Sequence, residues 1–176
     1  MTIIRQVLKF IDSLSELSGK VGKWFAVVLV VVGTYETVSR HLFGAPTIWA
    51  YDMLSMAGGA LYLLGASFDL KHNAHTRVDL IYSRFSPRGK ALADVIGSLV
   101  LFFPLVIMLL WYSTKWTIKA WKIKEVMFTS FWYPPAGPYR TLFTVGLLLL
   151  TLQGLARFVR DVYFVIKGAP VDQPES

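Results

Sequence analysis

The chain has 176 residues, enough for one domain, but its composition is not that of a water-soluble one. Hydrophobic residues make up 55%, charged residues only 16%, and mean hydropathy is +0.51, more apolar surface than so small a soluble domain hides. The absence of cysteine excludes disulfide frameworks and thiolate chemistry, and the net charge of +7 reads as basic flanks around membrane spans, with no nucleic-acid partner.

Residues 1–23 place Ile4, Val7 or Leu8, Ile11, Leu14, Leu17 and Val21 at helical spacing, with Arg5, Lys9, Asp12, Glu16 and Lys20 between them. This pattern predicts an amphipathic helix lying in the membrane interface, not a cleaved leader. A first span follows over 24–43, close to the 20 residues that cross about 30 Å of hydrocarbon. Its first half is purely apolar, whereas its second half carries Thr34, Glu36, Thr37, Ser39 and Arg40. Glu36 and Arg40 are four residues apart and share a face, where they can pair. A carboxylate inside a span is costly unless paired or turned toward protein, so this face is expected to point at another helix.

The second span is predicted over 47–68. Pro46 suits a turn or a helix start, and Trp49 and Tyr51 fall at the level of an aromatic belt. Asp52 lies in the first turns, where the helix dipole favours a negative charge and where it could meet Arg40 across the turn. Ser55, Gly59 and Ala66 form a stripe of small residues that would admit another backbone. The polar stretch from Asp69 to Lys90 contains a turn at Ser86–Gly89, and Val78, Leu80, Ile81, Tyr82 and Phe85 predict a short interfacial helix.

A third span over 91–113 carries Asp94 near its start and Pro104 at its middle, which predicts a kink. The helix is expected to continue beyond it, with Lys115, Lys119 and Lys122 in one narrow stripe. These lysines either snorkel to water and lipid phosphate or form a docking ridge for a protein partner. The fourth span covers 141–158 and aligns Gly146, Gln153 and Arg157 on one face. A glutamine there is expected to bond another helix. Residues 24–164 thus form a four-helix transmembrane domain in an all-α membrane protein, and 165–176 read as a disordered tail.

Orientation follows from the basic residues. The N-terminal segment, the 69–90 stretch and the C-terminal end carry twelve Lys and Arg between them; Arg40, the four lysines of 115–124 and Arg140 make six on the other side. Both termini are therefore expected in the cytoplasm of a bacterial inner membrane.

No catalytic set is legible: the three histidines have no cysteine or activated nucleophile beside them, and no phosphate-binding glycine loop occurs. His41 and the His72/His75 pair fall on opposite sides of the membrane, a poor arrangement for haem, and neighbouring loop histidines are a weak metal site. No metal or cofactor is expected. Four spans without an inverted repeat or broken helices do not predict a substrate site. The residues leave three readings open: a scaffold subunit of a transporter, the membrane anchor of a redox enzyme, or a small self-assembling channel.

The order Arg40-x5-Pro46-x2-Trp49-x2-Asp52, the run His75-Thr76-Arg77-Val78-Asp79, and Glu125, Ser130, Trp132 and Pro134 ahead of Leu148–Gln153 together resemble a known family. It is the small permease subunit (DctQ-like) of tripartite ATP-independent periplasmic (TRAP) transporters, and the resemblance extends over about residues 23–160. That family more often has Glu where this chain has Asp52. The resemblance implies a large permease subunit that carries the substrate and sodium sites, and a periplasmic binding protein that delivers an organic acid. It implies that Glu36, Arg40, Trp49, Asp52, Gln153 and Arg157 serve packing and subunit docking, and that Lys115, Lys119 and Lys122 are candidates for contact with the binding protein.

Overall fold

The computed structural model describes residues 2–72 and 86–168, and among these it is helical almost throughout. Helix α1 runs from Thr2 to Leu42 and α2 from Ala50 to Lys71. Helix α3 (Pro87–Gly97) passes through a π-helical turn at Ser98–Phe102 into α4 (Phe103–Lys122), and α5 spans Ala136–Lys167. These make four rods long and apolar enough to cross a membrane, with α3, the π-turn and α4 forming one of them. The chain is an all-α, multi-pass membrane protein. The expected helix over Val78–Phe85, the His75–Asp79 run and the tail beyond Gly168 lie outside the described residues.

Helix α1 packs on α2, α2 on α5, and α3 and α4 on α5, so α5 is the element that all the others share. Small residues make this closeness possible. Ala57 and Ala60 of α2 and Gly146, Gly154 and Ala156 of α5 are buried. A Cβ at Gly146 would stand 2.8 Å from the Leu63 Cβ, so α2 and α5 touch almost backbone to backbone. Of the expected small stripe of α2, Gly59 lies against Tyr139 of α5, where a Cβ would stand 2.8 Å from the hydroxyl, whereas Ser55 is exposed, and Ala57, Ala60 and Ser67 take the most buried positions. The reason is that α2 must present Leu63, Leu64 and Leu70 to α1 and α5, which fixes its rotation one step away from the Ser55 side.

Helix α1 is continuous, so its amphipathic start and its apolar half share one axis about 60 Å long. Its apolar stripe is split: Ile4, Val7, Leu17 and Val21 are exposed, whereas Leu8 and Ile11 face inward beside Ser15 and Ser18 and pack around Ala156 of α5. Pro104 follows directly on the π-turn, where the Phe103 amide reaches back five residues to the Ser98 carbonyl. The wider turn accommodates the amide that Pro104 lacks.

Between α4 and α5 the chain makes a short pinned loop. The Met127 amide donates to the Pro134 carbonyl at 2.8 Å and the Ala136 amide to the Glu125 carbonyl at 2.8 Å. Lys124 and Tyr133 close its ends with φ of 48° and 50°, a region few side chains adopt without surrounding support.

Candidate functional site

The ionisable side chains gather at the two ends of the bundle. At one end lie the α1–α2 turn and the 123–135 loop; at the other lie the N-terminus, Lys71, Pro87 and the end of α5.

At the turn end the keystone is Glu36. One carboxylate oxygen accepts from Arg40, with Nη2 at 2.5 Å and Nε at 3.0 Å. The other accepts from the Thr47 amide at 3.1 Å and from the Thr47 hydroxyl. Glu36 therefore ties its own helix to the strand of chain that enters α2. Trp49, at the N-cap position of α2, stacks on Tyr35 of α1 with ring centroids 5.8 Å apart. Gly44, with φ of 60°, allows the Ala45 amide to fold back onto the Ser39 carbonyl at 3.1 Å. The expected pairing of Glu36 with Arg40 is present, but Asp52 does not take part in it.

Asp52 is 1% exposed and accepts a hydrogen bond from the Ser130 hydroxyl. Ser130 in turn accepts from the Trp132 amide at 3.1 Å. The first turn of α2 points this carboxylate inward, toward the 123–135 loop, while Arg40 stays outside with most of its side chain in the open. That direction is why the expected contact with Arg40 does not form. The same loop is held from α5 by Arg140, whose guanidinium donates to both Glu125 oxygens at 2.7 Å in a two-pronged pair.

At the opposite end the N-terminal half of α1 is stitched into the bundle. Asp12 accepts from Gln153 at 3.1 Å and from Arg160 at 2.7 Å, and Ser15 donates to Gln153 at 2.9 Å. Ser18 meets Ser67 of α2 at 2.8 Å, and Lys71 reaches Glu16 at 2.8 Å. The buried Gln153 bonds another helix, as its place in a span predicts, and its partner is α1. Arg157 stands 3.7 Å from Asp94 of α3 and 3.7 Å from Asp161, and it donates to the Leu70 carbonyl at 3.4 Å. His72 lies 3.3 Å from Glu16.

Lys115, Lys119 and Lys122 remain on the exposed side of α4, with the Lys115 ammonium 4.5 Å above the Trp111 ring. On the other side of that helix, Ser113 and Thr117 bond Thr144 of α5 at 2.6 and 2.8 Å.

Several of these residues carry no mark in the sequence. Asp12 and Glu16 read as the wet face of an interfacial helix, and nothing local ties Asp12 to Arg160, 148 residues away. A signal was present in Ser15, Ser18, Gly19 and Gly22, a run of small residues on one face of α1, which marks a helix contact.

No curated protein matches the chain. Residues 29–163 match the family described as tripartite ATP-independent periplasmic transporters, DctQ component, a segment that takes in α2 to α4 whole, the last third of α1 and most of α5. With most of its length matched, the chain belongs to the DctQ family and is a small subunit of a TRAP-type transporter.

Proposed function

We propose that this subunit is a rigid scaffold that supports the large permease subunit during sodium-coupled uptake of an organic acid delivered by a periplasmic binding protein. The observation that carries this reading is the distribution of charge. Residues 24–35, 53–68, 95–114 and 141–156 contain no Asp, Glu, Lys, Arg or His. Several of the groups flanking them tie the chain's own helices together, as Glu36, Glu125 and Asp12 do. A translocation site for an anion and its coupling cations needs polar and charged groups near the midplane, which supports assigning that site to the partner.

In this arrangement both termini lie in the cytoplasm of the bacterial inner membrane and the turn end faces the periplasm. The outward apolar faces of α1 and of α3–α4 meet lipid and the large subunit. Lys115, Lys119 and Lys122 then stand at the periplasmic surface, where they dock the binding protein. The chain itself performs no catalysis.

Co-expression with the candidate large permease subunit tests the assignment. The two chains are expected to co-purify in detergent, and uptake in proteoliposomes is expected to need both together with the binding protein. A stable homo-oligomer that excludes the large subunit, or uptake undiminished without this chain, overturns it.

A further inference from the structure

At the terminal end, α2, α3 and α5 do not close on one another. They leave a cleft of about 530 Å³ whose lining includes Lys71, Lys90, Arg157 and Arg160, with Asp94 and Asp161 as the acidic members. A second cavity of about 250 Å³ shares Leu70, Asp94 and Arg157 with the first and continues toward the π-turn past Ala93, Gly97 and Phe102. The two together have one charged end and one apolar end. No described residue lies within 4 Å of where a Gly97 Cβ would stand, so the narrow end stays open as a slot.

We infer that this cleft is a binding site for an anionic phospholipid, with the headgroup phosphate beside Arg157 and Lys90 and an acyl chain along the slot toward Phe102. Three observations fix the chemistry. The lining carries Lys71, Lys90, Arg157 and Arg160 with Asp94 and Asp161, and carboxylates of α1 outside the cleft pair two of the four cations. Asp12 holds Arg160 at 2.7 Å and Glu16 holds Lys71 at 2.8 Å, whereas both carboxylates near Arg157 stand at 3.7 Å. Its guanidinium therefore has the geometry to take a phosphate at the shorter distance of a charge-assisted bond, about 2.8 Å.

The third observation is length. From Pro87 to Phe102 is roughly 15 residues of helix, or about 22 Å. One leaflet of hydrocarbon is about 15 Å thick, so a headgroup at the wide end sets its chain alongside the slot. Basic pockets between helices at the membrane surface are built to hold phosphate headgroups in this way. The site concerns this chain alone and does not depend on its part in transport, so its failure leaves the scaffold assignment standing.

The test is thermal unfolding of the full chain in a neutral detergent, with and without phosphatidylglycerol, phosphatidylcholine or inorganic phosphate at equal ionic strength. Phosphatidylglycerol is expected to raise the unfolding temperature more than phosphatidylcholine does, and inorganic phosphate is expected to leave it unchanged. Arg157→Gln is expected to lose most of that rise. Lys90→Gln, a milder change at the rim, is expected to lose a measurable part of it and decides the matter if Arg157→Gln does not fold. Lys119→Gln, at the other end, is expected to keep the whole rise. Equal shifts from both lipids, the same shift from inorganic phosphate, a rise that survives in Arg157→Gln and Lys90→Gln, or a rise lost in Lys119→Gln would each overturn the site.

Discussion

Ser130 donates its hydroxyl to the buried carboxylate of Asp52, which lies 78 residues earlier in the chain. One bond thus joins the start of α2 to the loop that leads into α5. The second Asp52 oxygen has no partner among the described residues, so the carboxylate depends on Ser130. Ser130→Ala is expected to strand a buried charge and to destabilise the subunit by about 1–3 kcal/mol. Asp52→Asn keeps an acceptor for the hydroxyl and removes the charge, so it is expected to cost less. Thermal unfolding of the two variants in detergent gives the order; an equal or reversed order would show that Asp52 is held by something other than Ser130.

Glu36 and Arg40 differ sharply in what they hold. The Arg40 side chain is 59% exposed, while that of Glu36 is 13% exposed and also anchors Thr47. An ion pair with so open a partner contributes no more than about 1 kcal/mol. Arg40→Ala is therefore expected to unfold within a few degrees of the parent, and Glu36→Ala distinctly lower. If Arg40→Ala nonetheless loses uptake, co-purification with the large subunit is expected to fall with it, because the exposed guanidinium is then a docking group. Lost uptake with intact association would take Arg40 out of the scaffold role.

How far the sequence could be read follows from the range of each interaction. The spans, the pairing of Glu36 with Arg40 and the interhelical role of Gln153 were legible because each follows from local spacing or from the cost of a polar group in lipid. The partner of Asp52 was not, since it depends on which way α2 is rotated against a loop that follows the third span. The inward face of α1 was not legible for a different reason. Amphipathicity marks the apolar positions but not which of them meet protein: Leu8 and Ile11 face in beside Ser15 and Ser18, while Ile4, Val7 and Leu17 face out.

Asp12 and Arg160 give that inward face an experimental handle. Their bond, with Gln153 donating to the same carboxylate, joins the packing of Leu8 and Ile11 on Ala156 in holding the start of α1 against α5. Asp12→Ala and Arg160→Ala are each expected to destabilise by about 1–3 kcal/mol. The double variant is expected to cost clearly less than the sum of the two, because both single changes break the same bond. Strict additivity would mean that the two groups do not interact and that the start of α1 lies free in the interface.

Gly146 and Gly58 are both helical glycines, and their surroundings predict opposite outcomes for the same substitution. A Cβ at Gly146 meets the Leu63 Cβ at 2.8 Å and the Leu63 backbone carbon at 3.4 Å, so α2 and α5 must separate to admit it. Gly146→Ala is expected to lower stability by about 1–3 kcal/mol, the usual cost of overpacking. No described residue lies within 4 Å of a Cβ at Gly58, so Gly58→Ala is expected to gain about 0.5–1 kcal/mol from helix propensity alone. The contrast is read from unfolding temperatures of the two variants in one detergent. It carries into the assembled transporter as well. If Gly58 packs against a helix of the large subunit, Gly58→Ala will stabilise the isolated chain yet weaken its association. If that face meets lipid, both measurements will stay level or improve.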